Sequence, residues 1–413
     1  MTITLIILGL IALVWIGLYL SPVHRSTFTE PLDADAGEGA LDGTQPPVTL
    51  IAPARNESAV LPRTVPTYCR QEYTRLRVLI VDDQSDDTTP TVLTELSRVH
   101  PELIHMRTTE RPAGWMGKSW AVASGVTFAR GLPSVALDTT PEQAAEEIYC
   151  FTDADCAFHP RALATAVRVM REQNADMLSV LPHMVLGHWS EKIGLPALLT
   201  TLGMVFPLGS VNNPASSIAL AAGGFILIRR SAYEKVGGHE SVRSHIVEDV
   251  QLARRAKSMG VRLHTRLTRN LVTTHMYEDW NDLWEGLAKN AYAGMDYQPR
   301  KFWVGLIVGM MVAVLPPVYM VATLIWVIAA PSPAGWTALA LSAAIVAAQA
   351  AIHARTIRHM GLPLYHAVLM PVSIALYQAI AASSAFQYHY RGGNLWKGRR
   401  VGGPAVTEPQ PPG

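Results

Sequence analysis

The sequence predicts an α/β catalytic domain, built on a largely parallel sheet, with membrane-crossing helices on both sides of it. Three observations carry this reading. From Val48 to about Tyr297, short apolar runs alternate with longer amphipathic ones, as strands alternate with helices in such folds. One apolar run, Tyr149-Cys150-Phe151, ends in Thr152-Asp153-Ala154-Asp155, which sets two carboxylates at the carboxyl edge of a strand, where open α/β sheets place their ligands. Outside this region lie long runs almost without charge.

Residues 2–20 form an uncharged run long enough to cross a hydrocarbon layer as one helix, and they read as an N-terminal anchor within residues 1–22. A cleaved signal peptide would need a basic start and a small-x-small site, and neither is present. Residues 23–45 follow as a linker, since 26–47 are acidic, rich in Gly and Pro, and too poor in apolar surface to fold. The catalytic domain then occupies 46–300. Its strand candidates are 48–52, 78–81, 148–151 and 178–181, and its helix candidates are 85–100, 116–130 and 160–173. Residues 301–390 hold three more apolar runs, 302–330, 336–352 and 362–386. The first reads as a membrane span. The other two stand open between span and buried core helix, and Pro363 and Pro371 leave the last open to a re-entrant path as well. Residues 391–413 form a basic and then disordered tail.

In a chain of 413 residues, 49% hydrophobic and 16% charged, the long runs tilt the balance toward apolar. A formal charge of +1, without a basic tract interleaved with aromatics, gives no reason to expect a nucleic-acid partner. Cys69, Cys150 and Cys156 show no metal-ligand spacing and make a disulfide framework unexpected, which fits a reducing compartment.

Four polar clusters carry the chemistry. The first strand ends in Pro53-Ala54-Arg55-Asn56-Glu57 and the second in Asp82-Asp83-Gln84-Ser85-Asp86-Asp87. Both ends face one crevice in a doubly wound sheet, while Asn56 and Ser85 would also serve as helix caps. No GxGxxG follows either strand, which argues against a dinucleotide fingerprint. The third cluster, Gly114-Trp115-Met116-Gly117-Lys118, is a turn entering a helix, where Lys118 is either a surface lysine or a point charge for phosphate. The acid pair Asp153 and Asp155 either caps a turn or holds a hard divalent cation, Mg2+ or Mn2+. In the fourth cluster Glu248 and Asp249 open an amphipathic helix. Acids are favoured there by the helix dipole, and a general base would occupy the same place.

In this order the strings PARNES, VDDQSDDT, GKSWA, TDAD, AAGGFILIRRSAY and VEDVQLARRA resemble the family 2 glycosyltransferases of GT-A fold over residues 46–300. Within them the chain is most similar to membrane enzymes that glycosylate isoprenoid lipids, the hopene-associated and diaponeurosporenoate (carotenoid) glycosyltransferases. The resemblance implies that Pro53, Arg55 and Glu57 line a nucleoside pocket, with Asp83 on the base and Asp82 beside it. It places Lys118 near the diphosphate, Asp153 and Asp155 on the metal and the sugar nucleotide, and Asp249 as catalytic base with Glu248 its neighbour. The QxxRW string of processive synthases is missing, and Gly286-Leu287-Ala288-Lys289-Asn290 stands in that region. A single, inverting sugar transfer to an apolar lipid is therefore expected. Transfer to a polyprenyl phosphate or a glycan, and a non-catalytic nucleotide-binding scaffold, are the rival readings.

Because nucleotide sugars are cytosolic, the catalytic domain is expected on the cytoplasmic side of the cell membrane in a multi-pass protein. Residues 189–211 carry little charge, and read either as a core helix or as an apolar entrance for the lipid acceptor, with Leu198 and Leu199 on its surface. His275 either approaches the metal or is a structural histidine.

Overall fold

A computed structural model describes residues 2–25, 27, 31–34, 45–132, 147–396 and 399–403. It divides into two units, one holding residues 29–185 and 208–276, the other 1–28, 186–207 and 277–413.

The first unit is built on a mixed sheet. Its strands are β1 (Val48–Ala54), β2 (Leu76–Asp82), β3 (Leu103–Arg107) and β4 (Ile148–Phe151), then β5 (Cys156–Phe158), β6 (Met177–Leu181), β7 (His183–Met184), β8 (Ile226–Arg229), β9 (Leu263–Leu267) and β10 (Val272–Thr274). The main sheet runs β3-β2-β1-β4-β8-β6-β9, and β5, β10 and β7 form a smaller one. β1 to β4 are parallel, and among the described strands of this sheet β8 alone runs against both its neighbours. All four residues of β4 are buried, and β2 is buried from Arg77 to Asp82, so that 78–81 of β2 and all of β4 read as continuous apolar runs. β1 runs two residues further than predicted and contains Pro53. The ring is tolerated because β4 pairs with β1 only as far as Ile51, so no ladder bond on that side needs the missing N–H.

The helix Gly117–Gly131 lies on β1 and β2 through Gly125, whose place would put a Cβ 2.8 Å from Val81 Cγ2 and 2.9 Å from Ile51 Cγ2. The helix predicted from Ser85 begins only at Thr89, because Ser85 to Asp87 shape the loop after β2. One expectation for the linker is corrected. Leu32 and Ala34 are buried, and Leu32 donates its N–H to the Leu267 carbonyl and accepts from Arg269, so it covers the otherwise open edge of β9. Residues 35–44 of that linker lie outside the described residues, as do Lys397, Gly398 and the tail from 404.

Among its described residues the second unit holds four helices long and apolar enough to cross a membrane, Thr2–Leu20, Pro299–Ala329, Pro333–His359 and Leu364–Tyr390. Large apolar side chains stand exposed along them, Ile325 at 62% and Ile328 at 74%, so Pro299–Ala329 is no core helix. Pro363 and Pro371 sit at helix starts, where a missing N–H costs nothing, and so do not interrupt the last run. Mid-helix, Pro316 and Pro317 have no N–H to give to the carbonyls of Val312 and Ala313, and Met310–Val314 forms a π-turn there. Those carbonyls are satisfied from other helices, as Trp15 Nε1 donates to Val312 at 2.9 Å and Gln349 Nε2 donates to both at 3.1 Å. The helix Trp189–Val205 belongs to this unit. Leu199 is buried there, so charge at that position would strike the core rather than a free surface.

Candidate active site

Delivered by β4, the acid pair emerges at the carboxyl edge of the sheet. Tyr68, fully buried on the helix Leu61–Cys69, donates its hydroxyl to the Cys156 carbonyl at 2.6 Å, with the Asp153 carbonyl 3.1 Å away. Thr152 Oγ1 donates to the Gly224 carbonyl at 2.8 Å, which ties the turn to the segment entering β8. Cys156 Sγ faces Asp155 Oδ1 at 3.7 Å, and burial raises its pKa, which keeps the thiol a protonated, weak donor. Thr274 pairs with Cys156 in antiparallel register, so the backbone at His275 runs on beside the same turn.

Lys118 comes from the opposite direction. A Cβ at Gly117 would lie 2.6 Å from Asp83 Oδ2, so glycine lets the helix start against the loop after β2. Met116 N–H donates to the Arg243 carbonyl at 2.7 Å and fixes the approach. From there Lys118 Nζ lies 2.6 Å from Asp153 Oδ1 and 2.8 Å from Glu248 Oε1.

Glu248 and Asp249 open the helix Glu248–Ser258, anchored by buried Leu252, Ala253 and Ala256. Lys257 Nζ holds it by donating to the carbonyls of Ser210, Val211 and Ile218. Asp249 accepts two backbone N–H bonds at 2.8 Å, from Val250 on Oδ1 and from Gly223 on Oδ2. Gly223 marks the centre of the group, since a Cβ there would lie 2.5 Å from Lys118 Nζ, 3.3 Å from Asp153 Oδ2 and 3.5 Å from Asp249 Oδ2.

One ammonium thus stands among three carboxylates. Burial disfavours the charge on Lys118, but Asp153, Glu248 and Asp249 override it and hold the lysine pKa well above its usual range. Burial raises Glu248 and Asp249, and Lys118 pulls both back. The side chains of Lys118 and Asp153 keep 36% and 38% exposure, so the cluster opens to solvent on their side, while Glu248 at 6% lies at its floor. Asp153 and Asp155 offer the hard oxygen donors that Mg2+ or Mn2+ prefers, and an ammonium seated on Asp153 shows a carboxylate set arranged around positive charge. This donor chemistry fits a divalent ion.

The residues expected at the nucleoside gather around the ends of β1 and β2. Arg55 Nη1 donates to the carbonyls of Asp83 at 2.6 Å and Gln84 at 2.7 Å, and Nη2 donates to Asp86 Oδ2 at 2.8 Å. Asp82 accepts the Ser85 N–H on Oδ1 at 3.0 Å, and its Oδ2 faces Arg107 at 3.4 Å. Arg55 and Asp82 therefore shape this loop, with Pro53 on β1 behind it. Glu57 donates its N–H to Thr89 Oγ1 at 2.9 Å. Asn56 and Ser85 do not cap the helices behind them. Asn56, at φ 53°, donates its N–H to Ser85 Oγ and accepts the Asp86 N–H on Oδ1, which closes the two loops on each other.

Sequence reasoning missed Tyr68 and Thr152, which hold the acid turn, and did not single out Gly223, although it lies in a string that carried the resemblance. A cavity of about 130 Å³ lined by Pro46, Ile148, Val167, Met170, Arg171 and Arg229 lies at the opposite end of β4, away from this chemistry.

A sheet of this order, with acids and one lysine gathered at its carboxyl edge, defines an α/β transferase of GT-A type. The chain belongs to the family described as "Glycosyltransferase like family 2", whose profile matches residues 46–291. It is 23% identical over 251 residues to 4,4'-diaponeurosporenoate glycosyltransferase of Staphylococcus haemolyticus, which covers 60% of this chain and 61% of that protein. It is 22% identical over 295 residues to beta-monoglucosyldiacylglycerol synthase of Trichormus variabilis, covering 67% and 58%. The matches thus span less than two thirds of these relatives' own lengths. Among solved structures, the mannosyltransferase PcManGT from Pyrobaculum calidifontis, in complex with GDP-Man and Mn2+, is similar in fold, at TM-score 0.51 and 19% identity over 93% of this chain and 99% of that one.

Proposed function

We propose that this protein transfers a single sugar from a nucleoside diphosphate sugar to a hydroxyl or carboxyl group on an apolar lipid of isoprenoid type, with inversion. The observation that carries the reading is the meeting of Asp153, Lys118, Glu248 and Asp249 around Gly223. Leaving-group departure builds negative charge on a diphosphate, and a positive site next to it lowers the barrier most in the transition state. Asp153 and Asp155 would hold Mg2+ or Mn2+, which when bound supplies that charge. Asp249, fixed by two N–H donors, is the base for the acceptor proton, and Glu248 steadies Lys118 beneath it. The loops at Pro53, Arg55, Glu57, Asp82 and Asp83 form the nucleoside side.

Four long apolar helices among the described residues, and relatives whose names specify diaponeurosporenoate and a glucosylated diacylglycerol, support a lipid acceptor. The second name favours diacylglycerol as the alternative acceptor. In this reading residues 1–22 are an anchor, 46–300 the catalytic domain on the cytoplasmic side of the cell membrane, and 301–390 a membrane cluster. Membranes carrying the protein, given a panel of radiolabelled sugar nucleotides, should place label on a carotenoid or hopanoid. Label on diacylglycerol would establish the alternative, and label on a polyprenyl phosphate or a growing glycan would overturn both.

A further inference from the structure

The ammonium of Lys118 occupies the ground that a divalent ion would claim on Asp153. Its 2.6 Å and 2.8 Å contacts join the first acid of the β4 turn to Glu248, so two elements far apart in sequence are closed on each other by one cation. We propose that Lys118 is a resident counter-ion that keeps a divalent metal off Asp153 until a nucleoside diphosphate arrives and draws the ammonium away. The proposal rests on the reading of this cluster as a metal-dependent sugar-nucleotide site.

Three features support exchange rather than a permanent brace. The lysine and Asp153 side chains form the exposed side of the cluster, whereas Glu248 is buried, so the Asp153 contact is the one within reach of solvent and ligand. The stem of Lys118 is flexible, while the backbone at its root is fixed by the Met116 to Arg243 bond and by Gly117 against Asp83, so the charge can swing without moving its helix. Local repulsion favours such a trade, because a dication on Asp153 would stand beside the ammonium that already contacts that carboxylate, and the anionic oxygens of an incoming diphosphate give the ammonium a new partner. Metal and nucleotide are then expected to bind as a coupled pair, because each removes an obstacle to the other.

The test measures free Mn2+ by electron paramagnetic resonance over the full-length protein in detergent, with and without UDP or GDP. Lys118→Met should bind Mn2+ alone at least about tenfold more tightly than the parent chain, and the tightening produced by the nucleotide should shrink by a similar factor. Lys118→Arg retains the charge and should keep weak binding of Mn2+ alone, which guards against an effect of altered folding in the Met variant. Equal affinity of parent and Lys118→Met for Mn2+ alone, or an undiminished nucleotide effect, would overturn the proposal while leaving the metal-dependent reading in place. Failure of the parent chain to take up Mn2+ even with UDP or GDP would overturn both.

Discussion

The backbone N–H of Gly223 donates to Oδ2 of Asp249 at 2.8 Å, and a side chain at Gly223 would enter the space these two share with Lys118 and Asp153. Lys118 Nζ, at 2.5 Å from the added Cβ, is the flexible end of a long side chain and would move first. Gly223→Ala should therefore leave the fold intact, with the unfolding temperature changed by no more than about 2 °C, and lower turnover by about one to two orders of magnitude. Comparison of thermal unfolding with the rate of sugar transfer checks both halves.

Asp249 is held in place by backbone donors that do not depend on its charge partners. Asp249→Asn keeps the volume, gives up one of the two backbone N–H bonds because an amide has a single acceptor oxygen, and removes the proposed base, so turnover should fall by about two to four orders of magnitude while binding of UDP or GDP changes by less than about threefold. The acid limb of the parent's pH profile follows from the same burial. Because Asp249 is raised above the ordinary aspartate range, activity should be lost as pH falls at a value higher than a solvent-exposed aspartate would give. A profile flat down to the ordinary aspartate range would remove Asp249 from the role.

Much of this site was legible because strand ends and helix starts are local features. Phe151 before Asp153, and Leu252 and Ala256 after Asp249, mark the period of their elements, and the period fixes where the acids emerge. What was hidden depends on contacts between distant segments. Tyr68 looks like any core tyrosine of an amphipathic helix until its hydroxyl meets the Cys156 carbonyl 88 residues away. Leu32 sat in a stretch whose composition argues for disorder, and only the open edge of β9 gives it a place. The cap assignments of Asn56 and Ser85 failed for a related reason, since each residue found a partner in the facing loop rather than in its own helix.

Gly125 shows how closely the Lys118 helix is seated. Its missing side chain lets the helix approach Val81 and Ile51, and neither methyl is free to retreat in a buried strand. Gly125→Ala should cost about 1–3 kcal/mol through overpacking, more than offsetting any gain in helix propensity. Denaturant titration should show the midpoint lowered. An unchanged or raised midpoint would mean that the helix and sheet have more slack than these distances allow.

His239 offers a pH test of the region's packing. Its ring lies 4.8 Å from Phe151, and Nδ1 is 2.9 Å from the Tyr233 hydroxyl, which already accepts the His239 N–H. Burial first, and then the charge on Lys118, push its pKa down to about 3. The unfolded chain takes a proton near pH 6.5 and the folded one does not. Stability should thus fall as pH drops from about 6.5 toward 3, by about 4 kcal/mol at the lower end. His239→Asn places an acceptor near Nδ1 and cannot titrate, so its unfolding temperature should vary less with pH over that window than the parent's.

The proline pair in the membrane unit gives the most specific test of how apolar helices satisfy their backbones. Gln349 is 1% exposed and its Nε2 serves the carbonyls of Val312 and Ala313, which Pro316 and Pro317 leave without the N–H four residues on. Gln349→Leu keeps the volume but leaves the Ala313 carbonyl without that donor, while Val312 still has Trp15. A loss of about 1 kcal/mol is expected, since side-chain hydrogen bonds between membrane helices are worth about that much. Pro317→Ala returns an N–H four residues after Ala313, so the carbonyl can be satisfied within its own helix. The cost of Gln349→Leu should then be smaller in the Pro317→Ala background than in the parent, and thermal unfolding of the four chains of this cycle in detergent measures the difference. Equal costs in the two backgrounds would mean that Gln349 is kept for a reason other than the carbonyl it serves.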